Sequence, residues 1–468
     1  MQESSHAVVI GGGVAGLAAA GVLAGRFRKV TVLERDPEPG EPEPRKGVPQ
    51  GNHVHILLKA GQDALEATFP GLIADLRKNG SSEVEFARDF WWFHYGVWKA
   101  RYPSPHLLLQ FQSRPFLEAA LRRRLAGLGN VEIRSGAAAV GVDIVAGRAR
   151  AVRVRHVDGN GTTSPGNGEP LTADLIVDAG GRGSRLADWL QHYGYPAPRE
   201  ERIGVNLQYA SRLYRAWPDP ARRWKALLVY PIRPAGTRIG ALFPGEHGRW
   251  TVTVGGYAGD HPSGDEAGFL DYLRSLPQRD IYDTLRDAEP LSDVATFRFP
   301  HARWLRYDEL SRLPAGLLPL GDSVCSFDPV FGQGMSVAAL GARVLAVHLE
   351  TDPGAVNARR FLQSLAKVVA VPWLLTSSED LRYPQVDGRR PFWLKGLQAY
   401  TRRVFQLCGH DAAAYDRLIR VLHLLDGPEQ LFHPEVLAGV LGTLNPFSLK
   451  LPPLPERGQG EAGEGARG

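Results

Sequence analysis

The sequence predicts a mixed α/β protein: a parallel sheet made of β-α-β units, an antiparallel sheet beside it, and a C-terminal helical region. Three observations predict it. The β-branched run Ala7-Val8-Val9-Ile10 is followed by glycines and then by an Ala- and Leu-rich stretch over 14–27. Runs alternating apolar and polar residues recur at 225–230, 238–243 and 249–254, the period of strands with one buried face. Beyond Thr351 the apolar spacing becomes helical, over 358–371, 393–408 and 412–425.

Composition narrows the function before any motif is read. A chain of 468 residues, 43% hydrophobic and 22% charged, is too long for one small core and too apolar for disorder. Its net charge of +5 does not make a nucleic-acid groove, and the one dense basic run, Arg122-Arg123-Arg124, reads as a solvated helix face. Two cysteines, Cys325 and Cys408, cannot build a disulfide framework or a zinc knuckle. Residues 7–25 carry no charge, but three consecutive glycines and no preceding Lys or Arg argue for strand, turn and helix rather than a membrane span or signal peptide. The expectation is a soluble cytoplasmic protein with no metal.

The N-terminal unit has a definite chemistry. Gly11 permits a tight turn, Gly13 lets a pyrophosphate approach the backbone, and Gly16 lets the helix pack closely on its strand. Val14 and Ala15 open a helix whose free N–H groups and positive dipole end suit phosphates. A second strand over 29–33 ends at Glu34, 18 residues past Gly16, where a carboxylate can accept both ribose hydroxyls. Strand, helix and acid together predict a Rossmann-like site for an adenine dinucleotide. The acid would repel a 2′-phosphate, so NADP is a poor candidate for this site.

Two later motifs stand far along the chain. Residues 171–178 read as a strand ending in Asp178, followed by the turn Ala179-Gly180-Gly181-Arg182-Gly183 and a helix over 184–193. Residues 316–320 lead to Gly321-Asp322, and Asp328-Pro329-Val330-Phe331-Gly332-Gln333-Gly334-Met335 precedes a nearly all-apolar helix over 335–349. Together the three motifs resemble the fingerprints of the para-hydroxybenzoate-hydroxylase-like (group A) flavoprotein monooxygenases, over about residues 6–350. Within that class, Arg45-Lys46-Gly47-Val48-Pro49-Gln50 with His53-Val54-His55, and also Trp373-Leu374-Leu375-Thr376 and Asp380-Leu381-Arg382-Tyr383-Pro384, are similar to bacterial polyether-type polyene epoxidases.

The resemblance implies a non-covalent FAD and a transient NADPH or NADH. It gives Asp322 the ribityl hydroxyls, with Gly321 as a further cofactor contact; it brings Arg45 to the flavin or its pyrophosphate and Arg114 to the phosphate-ribityl region. It lays Pro329 and Gly332 to Met335 against the isoalloxazine edge, with Arg35 and Asp178 as further cofactor contacts. Two departures stand out: Ala179 follows Asp178 where the family has glycine, and Ser336 stands where many relatives carry asparagine.

A helix starting at Gly334 or Met335 would aim its N–H groups at the negative charge of reduced flavin. The implied reaction is epoxidation or hydroxylation of a hydrophobic polyene or aromatic secondary metabolite through a flavin C4a-hydroperoxide, with O2 as co-substrate. The alternatives are a reductase of isoprenoid double bonds, resembling the geranylgeranyl reductases, and a flavin-binding protein without turnover. No second Gly-x-Gly-x-x-Gly follows a strand, which argues against pyridine-nucleotide disulfide reductases and Baeyer-Villiger enzymes. No Trp-x-Trp-x-Ile-Pro element occurs, which argues against a halogenase.

The expected division is an FAD-binding domain from residues 1–88, 111–198 and 301–350, a substrate-domain strand at 89–110, and a substrate-binding antiparallel sheet at 199–300. A helical region at 351–455 and a disordered tail at 456–468 follow. Trp92, His94, Phe243 and Phe331 are the expected substrate wall. The loop over 158–169 reads as a hairpin tip without function. His53 and His55 are weak catalytic candidates, with structural hydrogen bonding the blander role, and Cys325 reads as a small buried residue. No convincing general base is visible, which favours a neutral substrate, since phenol hydroxylation needs a base and epoxidation does not. The oligomeric state is open.

Overall fold

A computed structural model describes residues 5–38, 40, 42–45, 47–159, 161–351 and 356–442; the expected tail at 456–468 lies outside them. Five parallel strands form the nucleotide sheet, in the order Leu317–Pro319, Leu175–Asp178, His6–Ile10, Lys29–Glu34, Val131–Ser135. Helices cover this sheet, so its central strand is apolar after His6: Ala7, Val8 and Val9 are fully buried. Helix Val14–Ala24 packs against helices Arg114–Ala126 and Gly334–Thr351. Two glycines permit the first turn. Gly11 has φ +98°, and a Cβ there would strike the Ala179 carbonyl; a Cβ on Gly16 would strike the Gly11 carbonyl.

The strand expected over 171–178 is two. Glu169–Thr172 pairs antiparallel with Arg148–His156, and Leu175–Asp178 enters the parallel sheet. The chain changes sheets at Asp174, whose carboxylate accepts the His6 N–H at 2.9 Å while its own N–H donates to the His6 carbonyl at 2.9 Å. The helix after the Asp178 turn is Leu186–His192, shorter than the expected 184–193, because Ser184 is used to accept the Leu186 N–H at 3.1 Å.

Seven strands form the second sheet: Ala295–Phe299, Leu207–Arg215, Arg249–Gly256, Arg238–Pro244, Ala226–Val229, Phe90–His94, Val97–Trp98. All neighbours are antiparallel except Ala226–Val229 and Phe90–His94, which run parallel. Phe90–His94 comes from a distant part of the chain, so no hairpin dictates its direction. Alternation sorts its side chains: Phe90, Trp92 and His94 face the nucleotide domain, while Phe93 joins a second core with Leu227, Val252, Phe269 and Ile281.

The C-terminal helices are Ala358–Asp380, Leu394–Leu407, Ala412–Leu422 and Pro434–Gly442. The first was expected to stop at Val371, before a proline. It runs on through Pro372, because buried Phe361, Leu365, Val369 and Trp373 continue one apolar face. Burying such side chains, at about 1.5–3 kcal/mol each, outweighs the roughly 3 kcal/mol cost of an interior proline. The third ends at Leu422 rather than 425, as Leu424 adopts φ +60°. Among the described residues no helix is long and apolar enough to cross a membrane.

Substituting Gly16→Val should lower unfolding stability by about 3 kcal/mol or more, read as a fall in the urea midpoint. An unchanged midpoint would mean that the helix does not depend on this close approach.

Candidate functional site

The three glycine-punctuated segments meet at the carboxyl ends of His6–Ile10, Leu175–Asp178 and Leu317–Pro319. The Ala179 N–H donates to the Ile10 carbonyl at 2.8 Å, and the Leu320 N–H to the Asp178 carbonyl at 2.8 Å. The Gly181 N–H donates to Ser323 Oγ at 3.2 Å, and Gly321 abuts Ala15. In this turn the left-handed residue is Gly181, φ +72°, which is why position 179 accepts an alanine.

A ring of opposite charges closes one end of the site. Glu34 accepts the N–H groups of Gly12 and Asp36, each at 3.0 Å. Arg45 bridges Glu34 and Glu118, 2.7 Å from each, and reaches Asp36 at 3.4 Å. Arg45 therefore stands at the Glu34 end of the cavity, bound by carboxylates. Arg114 begins helix Arg114–Ala126 under the Ser113 cap and pairs with Glu118 at 2.9 Å. Arg122 was expected on a solvated face. Instead it donates to the Gly12 carbonyl at 2.9 Å, because the helix turns residues 114, 118 and 122 to one side, against the Gly-rich turn.

One cavity of about 1250 Å³ runs from this ring to the second sheet. Val14, Ala15, Glu34, Arg35, Arg45 and Arg114 border its first part. Asp178, Asp322, Pro329 and Gly332 to Met335 border its middle. Trp92, His94, Phe243 and Phe331 border its far part, as do His53 and His55. Gly16 and Gly321 lie beneath the wall rather than in it. The hairpin tip expected to be idle contributes Gly159, Gly161 and Thr163 to the rim.

The cradle fits an adenine dinucleotide. Gly13 leaves the N-terminus of helix Val14–Ala24 open: an added Cβ would meet only Arg114 at 3.4 Å and Glu118 at 3.7 Å. Burial raises the Asp322 carboxyl, while Arg114, Arg182 and Arg303 pull it back down. The Asp178 carboxylate is occupied locally by the Gly180 N–H at 3.0 Å and by the Ser184 hydroxyl, so it shapes its own turn. Ser336 accepts the Leu58 N–H at 2.9 Å and so ties the 45–58 segment to helix Gly334–Thr351.

The histidines are neutral. Burial, with His55 nearby, lowers His53 to about 3; burial, with Arg114 nearby, lowers His55 to about 4. His53 Nδ1 lies 2.6 Å from Ser211 Oγ, and His55 Nδ1 lies 2.9 Å from the His53 carbonyl, to which it donates. Burial also drives His94 well below its usual value. Among the described residues no cluster of three His, Cys, Asp or Glu could hold a metal. Cys325 is buried.

Comparisons with known proteins place this geometry. The family described as pyridine nucleotide-disulphide oxidoreductase matches residues 6–47, the first β-α-β unit alone. Protein Rv3254 of Mycobacterium tuberculosis is 34% identical over 440 residues, covering 90% of each chain. The chain belongs to the family of that mycobacterial protein. A kynurenine 3-monooxygenase of Salinispora tropica is 26% identical over 433 residues, 89% of this chain and 85% of that one. Two solved structures share the fold. One is p-nitrophenol 4-monooxygenase PnpA of Pseudomonas putida DLL-E4 (19% identity, TM-score 0.61, covering 92% of this chain and 100% of that one). The other is the flavin-dependent brominase Bmp2 (14% identity, TM-score 0.61, covering 95% and 99%). The fold is thus that of the FAD-dependent monooxygenases, a class of oxidoreductases, and FAD is the dinucleotide that the cavity fits.

Sequence reading missed Glu118 and Arg122, although their successive spacing of four from Arg114, at 114, 118 and 122, was a visible signal. The apolar C-terminal helices suggested a cap touching the substrate entrance, but the residues that border the cavity there, Thr376, Glu379, Phe405, Leu418 and His423, were not singled out for it.

Gly13→Val should fold normally, by far-ultraviolet circular dichroism, yet retain little FAD, and Asp322→Ala should purify nearly colourless; full occupancy in either would remove that residue from the cofactor site. His53 binds fewer protons folded than unfolded between its ordinary 6.5 and about 3. Its contribution to stability is therefore present above pH 6.5 and lost as the pH falls toward 3. His53→Gln should flatten that acid loss, measured as the urea midpoint from pH 7.5 to 4.5.

Proposed function

We propose that the protein is an FAD-dependent monooxygenase that takes two electrons from NADPH or NADH and transfers one atom of O2 to an uncharged polyene or aromatic molecule, by epoxidation rather than phenol hydroxylation. The observation that carries this reading is the single cavity joining a dinucleotide cradle to an aromatic chamber. The Salinispora relative and the Pseudomonas neighbour are monooxygenases by name, which supports the reaction class.

In this reading Glu34 holds the adenosine ribose, and Gly13 with the helix N-terminus holds the pyrophosphate. Arg114 lies beside them, and Asp322 takes the ribityl hydroxyls. Bound and reduced, FAD supplies the electrons that activate O2. The start of helix Gly334–Thr351 offers N–H groups to the anionic edge of the ring. The sheet face and the C-terminal helices keep water from the reacting atoms.

Charge distribution favours an uncharged substrate. The arginines on the cavity wall, Arg35, Arg45, Arg114, Arg182 and Arg185, all belong to the nucleotide-binding segments. On the sheet and the C-terminal helices the bordering titratable groups are Tyr209, Tyr230, the neutral histidines and Glu379, which Arg382 and Tyr95 already engage. Among the described residues that wall offers neither a cation for a substrate carboxylate nor a free base near neutral pH.

A basic cluster beside Arg182, which borders the cavity, supports pyridine-nucleotide docking. Arg202 and Arg303 are paired directly across two strands, and Arg303 donates to the Arg182 carbonyl at 2.6 Å. Like charges so placed repel, and among the described residues none of the three has a carboxylate within ion-pair distance. Phosphates would relieve that repulsion.

The test is oxygen-18. Incubation of the holoenzyme with NADPH or NADH, a neutral-lipid extract and labelled O2 should yield a product carrying one labelled atom, and turnover without O2 would sink the reading. Arg202→Ala and Arg303→Ala should each raise the KM for the nucleotide about tenfold with the FAD content intact.

A further inference from the structure

Behind the chamber wall, two carboxyl side chains from distant parts of the chain lie against each other with no exposure to water. Asp328 begins the loop that carries Pro329 to Gly334, and Asp380 is the last residue of helix Ala358–Asp380. Asp328 is well supplied with donors: the Val330 N–H at 2.9 Å and the Tyr257 hydroxyl at 2.9 Å. Asp380 receives none, since no N–H or O–H of the described residues reaches either of its oxygens. The carboxyl group beside it is that of Asp328. Two ionised carboxylates offer only acceptors to each other, so this contact needs a proton.

The surrounding charges require the same proton. Arg233 is buried among Tyr230, Tyr257, Phe331 and Tyr383, donates to the Tyr257 hydroxyl at 2.8 Å, and lies 3.6 Å from Glu379. Arg382 pairs with Glu379 at 2.8 Å. The two guanidinium charges balance Glu379 and Asp328, and nothing remains for a second charge on Asp380. The tyrosines facing the group, Tyr95, Tyr209, Tyr230, Tyr257 and Tyr383, are all raised by burial and stay neutral. Asp380 also occupies the C-terminal end of a 23-residue helix, where the dipole disfavours a negative charge. Burial first, and Asp328 second, push its carboxyl well above the usual range.

We infer that Asp380 is a carboxylic acid whose proton is shared with Asp328, and that this proton fastens the loop from Asp328 to Gly334 onto the end of helix Ala358–Asp380. The consequence lies in positioning. The loop borders the middle of the cavity through Pro329, Gly332 and Gln333, and the helix borders its far part through Thr376, Ser378 and Glu379. The pair sets one against the other without touching the contents of the cavity. That the loop seats the flavin rests on the function proposed above; the shared proton does not.

The sign of the pH effect follows. Folded Asp380 keeps its proton at pH values where the unfolded chain has lost it, so it weakens the fold progressively as the pH rises above the ordinary carboxyl value near 4. Asp380→Asn keeps a donor toward Asp328 and removes that penalty. Its melting temperature should equal that of the wild type near pH 4 and exceed it by several degrees at pH 8.5. In difference infrared spectra of the holoenzyme at pH 8, the carbonyl band of a protonated carboxylic acid should be present in the wild type and absent from Asp380→Asn. FAD affinity should stay within about twofold in Asp380→Asn and fall tenfold or more in Asp380→Ala, which offers no donor. Absence of the infrared band, or an asparagine variant less stable than the wild type at pH 8.5, would overturn the inference. An asparagine variant that loses FAD affinity as the alanine one does would also overturn it. The infrared and melting measurements need neither substrate nor turnover, so they separate failure of this inference from failure of the proposed reaction.

Discussion

Close backbone approach at the strand ends is the constraint on which the rest of the molecule depends. Helix Val14–Ala24 reaches the sheet only because Gly16 brings it onto the carbonyl of Gly11, and Gly11 in turn lies under the Ala179 carbonyl. Once those main chains touch, the free N–H groups of the first helix, the turn after Asp178 and the segment after Leu320 face one volume. A side chain at either glycine would push the elements apart and dissolve the cavity, however well each element folded alone.

Around that volume the protein separates its charges. Arginines and carboxylates cluster at the nucleotide end, where Arg45 binds Glu34 and Glu118 and Arg122 reaches Gly12. The far end is aromatic and its histidines are neutral. Such a gradient suits a charged, extended cofactor at one end and an uncharged guest at the other, because an unpaired ion costs far more in the dry part than in the wet part. Charges near the dry part, at Arg233, Glu379 and Arg382, are compensated within their own group, and Arg233 is withdrawn against Tyr230 and Phe331.

Much of this was legible along the chain because it is local. Gly11, Gly13, Gly16 and Glu34 announce their turn, helix and strand through spacing alone. The run from Phe90 to His94 shows which side chains share a face. Reading failed where a distant partner decided the outcome. Nothing near residue 172 says that the chain changes sheets at Asp174; the reason is His6, far upstream. Nothing near Pro372 says that the helix continues, because the buried surface holding it belongs to other segments. Arg122 looked solvated because its acceptor, the Gly12 carbonyl, lies 110 residues away.

The amino-acid sequence by itself determined the dinucleotide-binding unit and the presence of a parallel and an antiparallel sheet, since each rests on hydrophobic period and on glycines whose backbone freedom is intrinsic; the flavoprotein class came from the resemblance of its three motifs to a known family. Tertiary structure alone decided which way Phe90–His94 runs, which arginines meet which carboxylates, and that Asp328 and Asp380 meet at all. Those outcomes depend on side chains brought together from far apart in the chain, where distance and dielectric, not local propensity, set the energy.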